Sequence, residues 1–391
     1  MLAAVGKRLA FAFLFMALPI ATAWSEPAPY DVYGVLSLTG PIAYLGNDHK
    51  QALDTVAAYV NEHGGIHGRP LRFVIKDDQS SPVVAVQLVN GLIQQHVPVI
   101  VGPNVTATCA AAVPLVKDGP VLYCLSPAIH PTRGSYIFSS SVRIVDDAVA
   151  LLHYAHDRGW SRIAMITATD ASGQEVDRAF AQAFAMPENS GVHLIDREHF
   201  NTTDLSVDAQ MSHMKTLKPN AVIAWTTGTS FGTLLHGIRD VGISVPIIAG
   251  SGNMIKAQLA QYGGLLPDEL YFAGLRGMTR DPDAPPRVRQ AQAVYWAALK
   301  KSGVEPSYTT CSTWDYLMVL VDALKHAGPN PTPVAIRDYI DNLRDWAGIQ
   351  GIYDFRDAEQ RGIGEKAVVI QRWERRRGEF TAVSGPGGHI R

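Results

Sequence analysis

This sequence of 391 residues has few cysteines, a net charge close to zero and only short apolar runs. Its 3 cysteines include no Cys-x-x-Cys pair, which argues against zinc and thioredoxin-type chemistry. The formal net charge is -2, so nothing in the charge balance favours nucleic acid or an anionic membrane as the partner. Because 47% of the residues are hydrophobic and 18% are charged, the composition excludes a disordered chain and indicates a packed globular protein.

The apolar stretch at residues 9–20 is too short to span a bilayer, which takes about 20 apolar residues. It follows Lys7 and Arg8 and precedes Ala21-Thr22-Ala23, the small-x-small pattern after which signal peptidase cuts. The pattern predicts a cleaved signal peptide over residues 1–23 and export to the periplasm, with an N-terminal membrane anchor as the alternative. No cysteine follows this stretch, so a lipid anchor has no attachment point.

Short β-like runs alternate with longer helical patterns along the rest of the chain. A first set contains strands at 30–37, 71–76, 97–101 and 121–125 and helices at 47–63, 83–95 and 106–117. A second set contains helices at 147–157, 174–184, 206–217 and 231–241 and strands at 163–167, 192–200, 221–226 and 245–249. Later patterns predict strands at 271–275, 352–355, 366–373 and 380–383 and helices at 287–300, 313–326 and 333–342. Strands separated by helices of this length need right-handed crossovers and parallel pairing. We therefore expect an α/β protein with two doubly wound parallel-sheet lobes.

Ligands of open parallel sheets bind beyond the carboxyl ends of the strands. The loops at these ends are predicted at residues 38–46, 102–108, 125–131, 168–174, 226–230 and 250–254. In the second loop, Thr106 and Thr108 offer hydroxyl donors where a helix begins, a place that favours anions. The alternative for Thr106 is a helix N-cap alone. His130 lies at the next rim, as a carboxylate donor or as a surface histidine.

Two of the cysteines, Cys109 and Cys124, fall at the same predicted sheet edge, at the first turn of a helix and near the end of a strand. Export permits a disulfide between them. Two buried free thiols are the alternative.

Several short motifs occur in a fixed order along the predicted mature chain. They are SLTGPIAYLG at 37–46, VNEHGGIHGR at 60–69, KDDQS at 76–80, Gly102-Pro103, Ser126-Pro127-Ala128 and Trp314-Asp315-Tyr316. Because these motifs follow one another in the family's order, the chain resembles the periplasmic leucine/isoleucine/valine-binding protein family, the type I solute-binding proteins of ABC transporters. The family tends to show Tyr-Asp-Ala where this chain has Trp-Asp-Tyr.

The resemblance implies two lobes joined by a three-segment hinge, with lobe 1 at 28–143 and 274–345 and lobe 2 at 144–273 and 346–391. It also implies a monomer that closes on a small ligand and delivers it to an inner-membrane ABC permease, without a cofactor or a metal. In the family the helix-start hydroxyl, here Thr106, holds the ligand carboxylate. Contacts from the Ser-Pro-Ala rim fall on Ala128 and His130.

The ligand itself is left open by two departures from the family. Ser172 stands where amino-acid binders commonly have tyrosine, and Ser251-Gly252-Asn253 stands where they carry an acid for the ligand ammonium. A buried ammonium without an anionic partner costs several kcal/mol, roughly. We therefore favour an aromatic or other non-amino carboxylate, and keep a branched-chain amino acid open because Asp170 can replace the acid.

Further expected contacts complete the predicted site. Asn253 lies in the departing loop, and Tyr44 and Leu45 lie in the first loop. Gly228 is predicted where the backbone approaches the ligand. Arg276 is predicted to grip a carboxylate, with a structural salt bridge as its alternative. Trp225 and Phe231 are expected to border the cleft.

Two other function classes compete with transport. Gly228-Thr229-Ser230-Phe231-Gly232 matches the G-x-S-x-G elbow of serine hydrolases and follows a predicted strand. However, no Asp and His pair sits clearly on later strand ends, so hydrolysis by Ser230 is the weaker hypothesis. A ligand-sensing subunit of a receptor system would use the same cleft as a transport protein.

Overall fold

The computed structural model describes residues 27–356 and 359–390, and the predicted signal peptide lies outside these residues. Fourteen strands are present in this part of the chain: β1 Tyr30–Leu36, β2 Leu71–Asp77, β3 Val99–Val101, β4 Val121–Cys124, β5 Ile137–Ser139, β6 Arg162–Ala168, β7 His193–Phe200, β8 Ala221–Trp225, β9 Ile247–Ala249, β10 Leu270–Leu275, β11 Trp346–Ala347, β12 Ile352–Tyr353, β13 Val368–Glu374 and β14 Glu379–Ala382. The α-helices there are α1 Ala43–Glu62, α2 Pro82–Gln94, α3 Thr106–Ala112, α4 Ile144–Asp157, α5 Ala171–Phe184, α6 Asp208–Thr216, α7 Ser230–Val241, α8 Lys256–Gln261, α9 Pro286–Ser302, α10 Tyr308–His326 and α11 Pro333–Asp341. Among the described residues, no helix is both long and apolar enough to cross a membrane.

The strands form two large sheets. A five-stranded sheet has the order β2-β1-β3-β4-β5, and all of its pairs are parallel. A seven-stranded sheet has the order β14-β13-β10-β9-β8-β6-β7, in which β10, β13 and β14 pair antiparallel. We call the parts built on these sheets the first half and the second half. The predicted α/β architecture is confirmed, with an antiparallel edge added to the second sheet.

Local signals explain where several helices begin and end. Ser81 caps α2 by accepting from the Val84 amide, and Pro82 fills the first helical position, where no amide is needed. Ser307 caps α10 by accepting from the Thr310 amide at 3.0 Å. Gly242 ends α7 in the left-handed conformation that glycine adopts at least cost. The sequence predicts one helix over 106–117, whereas in the structure α3 ends at Ala112 and is followed by a 3₁₀ turn from Val113 to Val116.

The first half is completed by segments that come late in the chain. Asp315 of α10 accepts from the amides of Ile349 and Gln350 and from the Tyr353 hydroxyl, which holds the β11–β12 hairpin. Further along, the side-chain amide of Gln360 donates to the Ser135 carbonyl at 3.2 Å. The sequence placed everything from residue 346 onwards in lobe 2. These contacts place part of the segment after residue 346 against the first half, which favours a later return of the chain to the second half. The residue ranges of the two lobes stay a prediction.

Candidate ligand-binding cleft

A cavity of about 90 Å³ lies between the two halves, where the carboxyl ends of both sheets face each other. Its wall includes Leu45 at the start of α1 and the loops that follow β3, β4, β6, β8 and β9. The amino-terminal turn of α10 and the crossover at residues 140–144 close its remaining side. The sequence-based expectation about the position of a cleft therefore matches the position of this cavity.

The wall of the first half presents neutral hydrogen-bonding groups. The Oδ1 atom of Asn104 accepts from the Ser37 amide at 2.8 Å, which fixes the loop after β3. The Nδ2 atom of Asn104 is buried and has no acceptor within the described chain. The hydroxyls of Thr106 and Ser126 lie 3.2 Å apart on the same wall, and only one of the two can donate to the other. At least one amide donor and one hydroxyl proton therefore remain for a ligand.

The wall of the second half supplies an aromatic surface. Trp225 at the end of β8 is buried and packs edge-on against Phe180, with ring centroids 5.9 Å apart. Gly250 permits this packing, because a Cβ atom there would lie 2.9 Å from the indole nitrogen. Asp170 also lines the cavity, and its Oδ1 atom caps α5 by accepting from the Gly173 amide at 2.9 Å.

Among the described residues, the cavity wall has no positively charged side chain to pair with an anion. None of the lysines or arginines within the described residues lines the cavity, and its ionisable groups are His49, Asp170 and Tyr308. Burial lowers the pKa of His49 to about 4, against the weaker opposing effect of its bond to a backbone carbonyl. Burial also raises the pKa of the Tyr308 hydroxyl. An anion in this cavity must therefore be held by neutral donors.

Four of the ten predicted ligand contacts line the cavity: Leu45, Thr106, Ala128 and Ser172. Trp225 lines it as well, whereas Phe231 packs against Tyr262 behind the wall. The other six lie elsewhere. Tyr44 borders a separate groove on the outer side of α1. Arg276 pairs with Asp281 at 2.7 Å, which matches the salt-bridge alternative.

The other predicted contacts that lie outside the cavity wall have structural partners. Thr108 is buried and donates to the Val105 carbonyl at 3.1 Å. Asn253 is also buried, and its Nδ2 atom donates to the carbonyl of Thr226 at 2.6 Å. These side chains hold loops in place, because a buried polar group needs a partner.

Gly228 and His130 lie where the halves meet. Gly228 has a φ of +78°, and a Cβ atom there would lie 2.7 Å from the Pro41 carbonyl oxygen of the first half. Its lack of a side chain thus serves the close approach of the two halves. His130 lies at the rim, where its Nε2 atom is 2.8 Å from Oε1 of Glu175 on α5.

The sequence reasoning missed His49, Asn104 and the start of α10. His49 lies one helical turn after Leu45, which is the spacing that puts two residues on one helix face. Tyr308, Thr309 and Ser312 lie in the hydroxyl-rich run that opens α10. The run was a usable signal, since a buried helix start full of hydroxyls needs partners.

Arg361 anchors the wall from behind. Its guanidinium is fully buried and donates to the Pro127 carbonyl at 2.9 Å and to the Ile129 carbonyl. It also donates to Ser139 Oγ at 2.7 Å and to the Ser141 carbonyl at 3.1 Å. Ser141 in turn bonds Tyr308 through their hydroxyls at 2.5 Å. One side chain thus ties the Ser-Pro-Ala rim to the crossover between the halves.

Cys109 and Cys124 are joined by a disulfide in this structure, with Cα atoms 6.0 Å apart. Cys311 is a buried free thiol. The bridge links α3 to the end of β4 and thereby braces the loop that carries Thr106.

The hydrolase motif does not form a nucleophile. Ser230 is buried, and its hydroxyl bonds Thr226 Oγ1 at 2.8 Å and the Thr227 carbonyl at 3.1 Å. No histidine is among its hydrogen-bond partners in the described chain. Without a base within reach, a serine hydroxyl is not activated.

Comparison with known proteins decides the family. The sequence profile of a family described as "Periplasmic binding protein" matches residues 34–378. The chain belongs to the periplasmic binding protein family. The resemblance to leucine/isoleucine/valine-binding proteins is confirmed, and a periplasmic binding protein is not an enzyme, which excludes the hydrolase hypothesis. Members of this family work in the periplasm, bind small molecules and act with ABC permeases.

Individual relatives of this periplasmic binding protein are distant. The Leu/Ile/Val-binding protein homolog 3 of Brucella melitensis is 21% identical over 309 residues, which cover 78% of this chain and 81% of the relative. Among solved structures, LivJ of Streptococcus pneumoniae in complex with isoleucine superposes with a TM-score of 0.74 and 19% identity, covering 90% of this chain and 98% of LivJ. A solute-binding protein of an ABC transporter from R. palustris, in complex with benzoate, has a TM-score of 0.75 and 18% identity and covers 93% and 98%. At this identity the solved structures share the fold.

Proposed function

We propose that this protein is exported through a cleaved signal peptide, binds a small carboxylate between its lobes as a monomer, and delivers it to an inner-membrane ABC permease. The observation that carries the proposal is the Asn104 Nδ2 atom, which has no acceptor in the described chain and belongs to the same cavity wall as the hydroxyls of Thr106 and Ser126. A buried amide donor without an acceptor costs about 1–3 kcal/mol, which a bound carboxylate oxygen would recover. Ala128 of the same wall is expected to add its backbone amide.

An aromatic or other non-amino acid is the favoured ligand. The apolar part of the wall includes Trp225, Ile42 and Leu45, which suit a flat or branched hydrocarbon body. Asp170 is the one acid that lines the cavity within the described residues, and one of its oxygens already caps α5. A branched-chain amino acid remains the alternative, because the second oxygen of Asp170 can accept from an ammonium. The similar structures hold isoleucine and benzoate, so both classes belong in the test.

A thermal-shift screen with benzoate, 4-methylpentanoate, leucine and isoleucine tests the ligand class. A ligand present at 100 times its dissociation constant adds about 2.7 kcal/mol to stability, which a melting curve resolves. We expect shifts with the non-amino acids. Shifts with amino acids alone would reverse the preferred ligand, and no shift with any carboxylate would refute the proposed function.

Replacing Thr106 by valine tests the carboxylate site directly. The change removes a hydrogen bond to a charged group, worth about 1.5–3 kcal/mol, so affinity should fall roughly 10- to 150-fold. Thr108→Val is the matched control, because its hydroxyl serves the Val105 carbonyl outside the cavity. Equal affinities of wild type and Thr106→Val in calorimetric titrations would remove Thr106 from the site.

A further inference from the structure

His49 is a buried histidine on the wall of the cavity. It lies on α1, is 3% exposed, and lines the cavity together with Leu45 from the preceding turn. Thr309 and Ser312 of α10 line the wall too. None of the sequence motifs pointed to this position, and the carboxylate site described above does not use it.

The hydrogen bonding of His49 fixes its tautomer. The Nδ1 atom lies 2.9 Å from the backbone carbonyl oxygen of Leu45. A carbonyl oxygen can only accept, so Nδ1 carries the proton of this bond. The low pKa of about 4 that burial gives this ring keeps it neutral at periplasmic pH. A neutral ring with a proton on Nδ1 has an unprotonated Nε2 atom, which is a hydrogen-bond acceptor.

That acceptor is unused within the described part of the protein, where the bond to Leu45 is the only hydrogen bond of the His49 side chain. The neighbouring hydroxyls have partners of their own. Thr309 Oγ1 lies 2.8 Å from Ser307 Oγ, and Ser312 Oγ donates to the Thr309 carbonyl at 3.2 Å. A buried acceptor on a cavity wall calls for a donor from the bound molecule.

The donor is a neutral hydroxyl group rather than an ammonium, because none of the described carboxylates accompanies His49 on this wall. The adjacent Asp48 faces away from the cavity, borders the outer groove, and accepts from Ser307 Oγ at 2.6 Å. Asp170 belongs to the opposite half. An ammonium placed against a neutral imidazole would be a buried charge without its counter-ion, which costs several kcal/mol, roughly.

We propose that Nε2 of His49 accepts a hydrogen bond from a ligand hydroxyl, so that this protein selects a hydroxylated carboxylic acid over the acid without the hydroxyl. The inference rests on the proposed function, since it presumes that the cavity holds a carboxylate. A site built to bond a hydroxyl discriminates against the analogue that lacks it, because its own buried group is then left unpaired. The expected preference is about 10- to 100-fold in dissociation constant.

Matched pairs of acids test this selectivity on the wild-type protein. The pairs are benzoate with 3- and 4-hydroxybenzoate, and 4-methylpentanoate with 2-hydroxy-4-methylpentanoate, each titrated by calorimetry. We expect at least one hydroxylated member to bind about 10-fold or more tightly than its parent. If parents and hydroxylated acids bind equally, or if leucine binds more tightly than every hydroxy acid, the inference is wrong while the carboxylate cavity stands. If no acid binds at all, the proposed function itself fails.

The His49→Phe variant then assigns the selectivity to this side chain, since it fills similar space and has no acceptor. It should lose the preference, measured within the variant as the ratio of the dissociation constants of the parent and the hydroxylated acid. His49→Gln, which keeps an acceptor on a flexible side chain, should retain part of the preference. A His49→Phe protein that still prefers the hydroxylated acid by the wild-type factor would overturn the role of His49. Melting curves without ligand identify a misfolded His49→Phe variant, and in that event the His49→Gln variant decides. A reduced preference of His49→Gln for the hydroxylated acid supports the role of His49. An undiminished or absent preference counts against that role.

Discussion

The His130–Glu175 contact should make ligand affinity depend on pH. His130 belongs to the loop after β4 in the first half, and Glu175 belongs to α5 in the second. The two are 2.8 Å apart across the junction of the halves, so any separation of the halves breaks this contact. Arg178 also bonds Glu175, at 2.5 Å, and Glu359 of the first half lies 3.4 Å from the other ring nitrogen of His130. Arg143 borders the same surface pocket.

The sign of the effect follows from the two pKa shifts. The hydrogen bond to Glu175 raises the pKa of His130 above its usual 6.5, despite partial burial. Burial alone would raise the pKa of Glu175, but hydrogen bonds from His130 and Arg178 outweigh it and leave the pKa below the usual 4.5. The contribution of His130 to closure is therefore complete below pH 6.5 and is lost as pH rises through its raised pKa. The contribution of Glu175 is present above pH 4.5 and is lost as pH falls through its lowered pKa. Affinity should peak between these values.

The magnitude is limited by solvent, because the His130 side chain is 52% exposed. A solvent-screened pair of this kind contributes about 0.2–1 kcal/mol. Ligand binding should therefore weaken by up to roughly 1 kcal/mol between pH 6.0 and pH 8.5, a change of up to about 5-fold in dissociation constant.

Calorimetric titrations at pH 6.0 and 8.5, with the acid that gives the largest thermal shift, measure the effect. Wild type should bind more weakly at pH 8.5, and His130→Gln should bind with a smaller change between the two pH values. The difference between these proteins isolates His130 from Asp48 and Asp315, whose pKa values burial raises to about 6 and about 7. His199→Gln is the matched control, since His199 pairs with Asp177 inside the second half at 2.7 Å. An unchanged pH dependence in His130→Gln, or tighter wild-type binding at pH 8.5, would refute the reasoning.

Three other substitutions have defined outcomes. Gly228→Ala should weaken ligand binding by about 1–3 kcal/mol through crowding against Pro41. Gly159 has a φ of +73° and open space around it, so Gly159→Ala should leave affinity unchanged in the same titration. Removing the disulfide by Cys109→Ser with Cys124→Ser should lower the free energy of unfolding in urea by about 3 kcal/mol for a loop of this length. Reduction of the wild type should cause an equal loss, and no loss in either the variant or the reduced protein would contradict this prediction. Arg361→Met should lower the free energy of unfolding by roughly 3 kcal/mol and weaken binding, because several buried acceptors lose their donor; a variant with wild-type unfolding and affinity would show that the rim needs no such support.

Much of the fold was predictable because its signals are local. The helix starting at Ser81-Pro82 and the helix ending at Gly242 carry their own caps, and their lengths imply the parallel crossovers. The sequence analysis missed β5, which has three residues, and α8, which has six, because neither is long enough to show a period.

The site was predictable only where it follows strands. Thr106 and Ser172 lie in the first turns of the helices that follow β3 and β6, and both line the cavity. His49 lies inside a helix, where a buried histidine looks like any other core position. The sequence left Arg276 between a ligand contact and a salt bridge, because its pairing with Asp281 depends on the turn after β10, which no periodic pattern describes.

The anchoring of the rim by Arg361 has a consequence for biogenesis. The first half receives its last contacts from residues that follow almost all of the second half in sequence, and the second sheet in turn awaits β13 and β14. Neither half can reach its final packing until nearly the whole chain has been synthesised. A chain that ends before Arg361 and β13 therefore leaves both halves without contacts that they need.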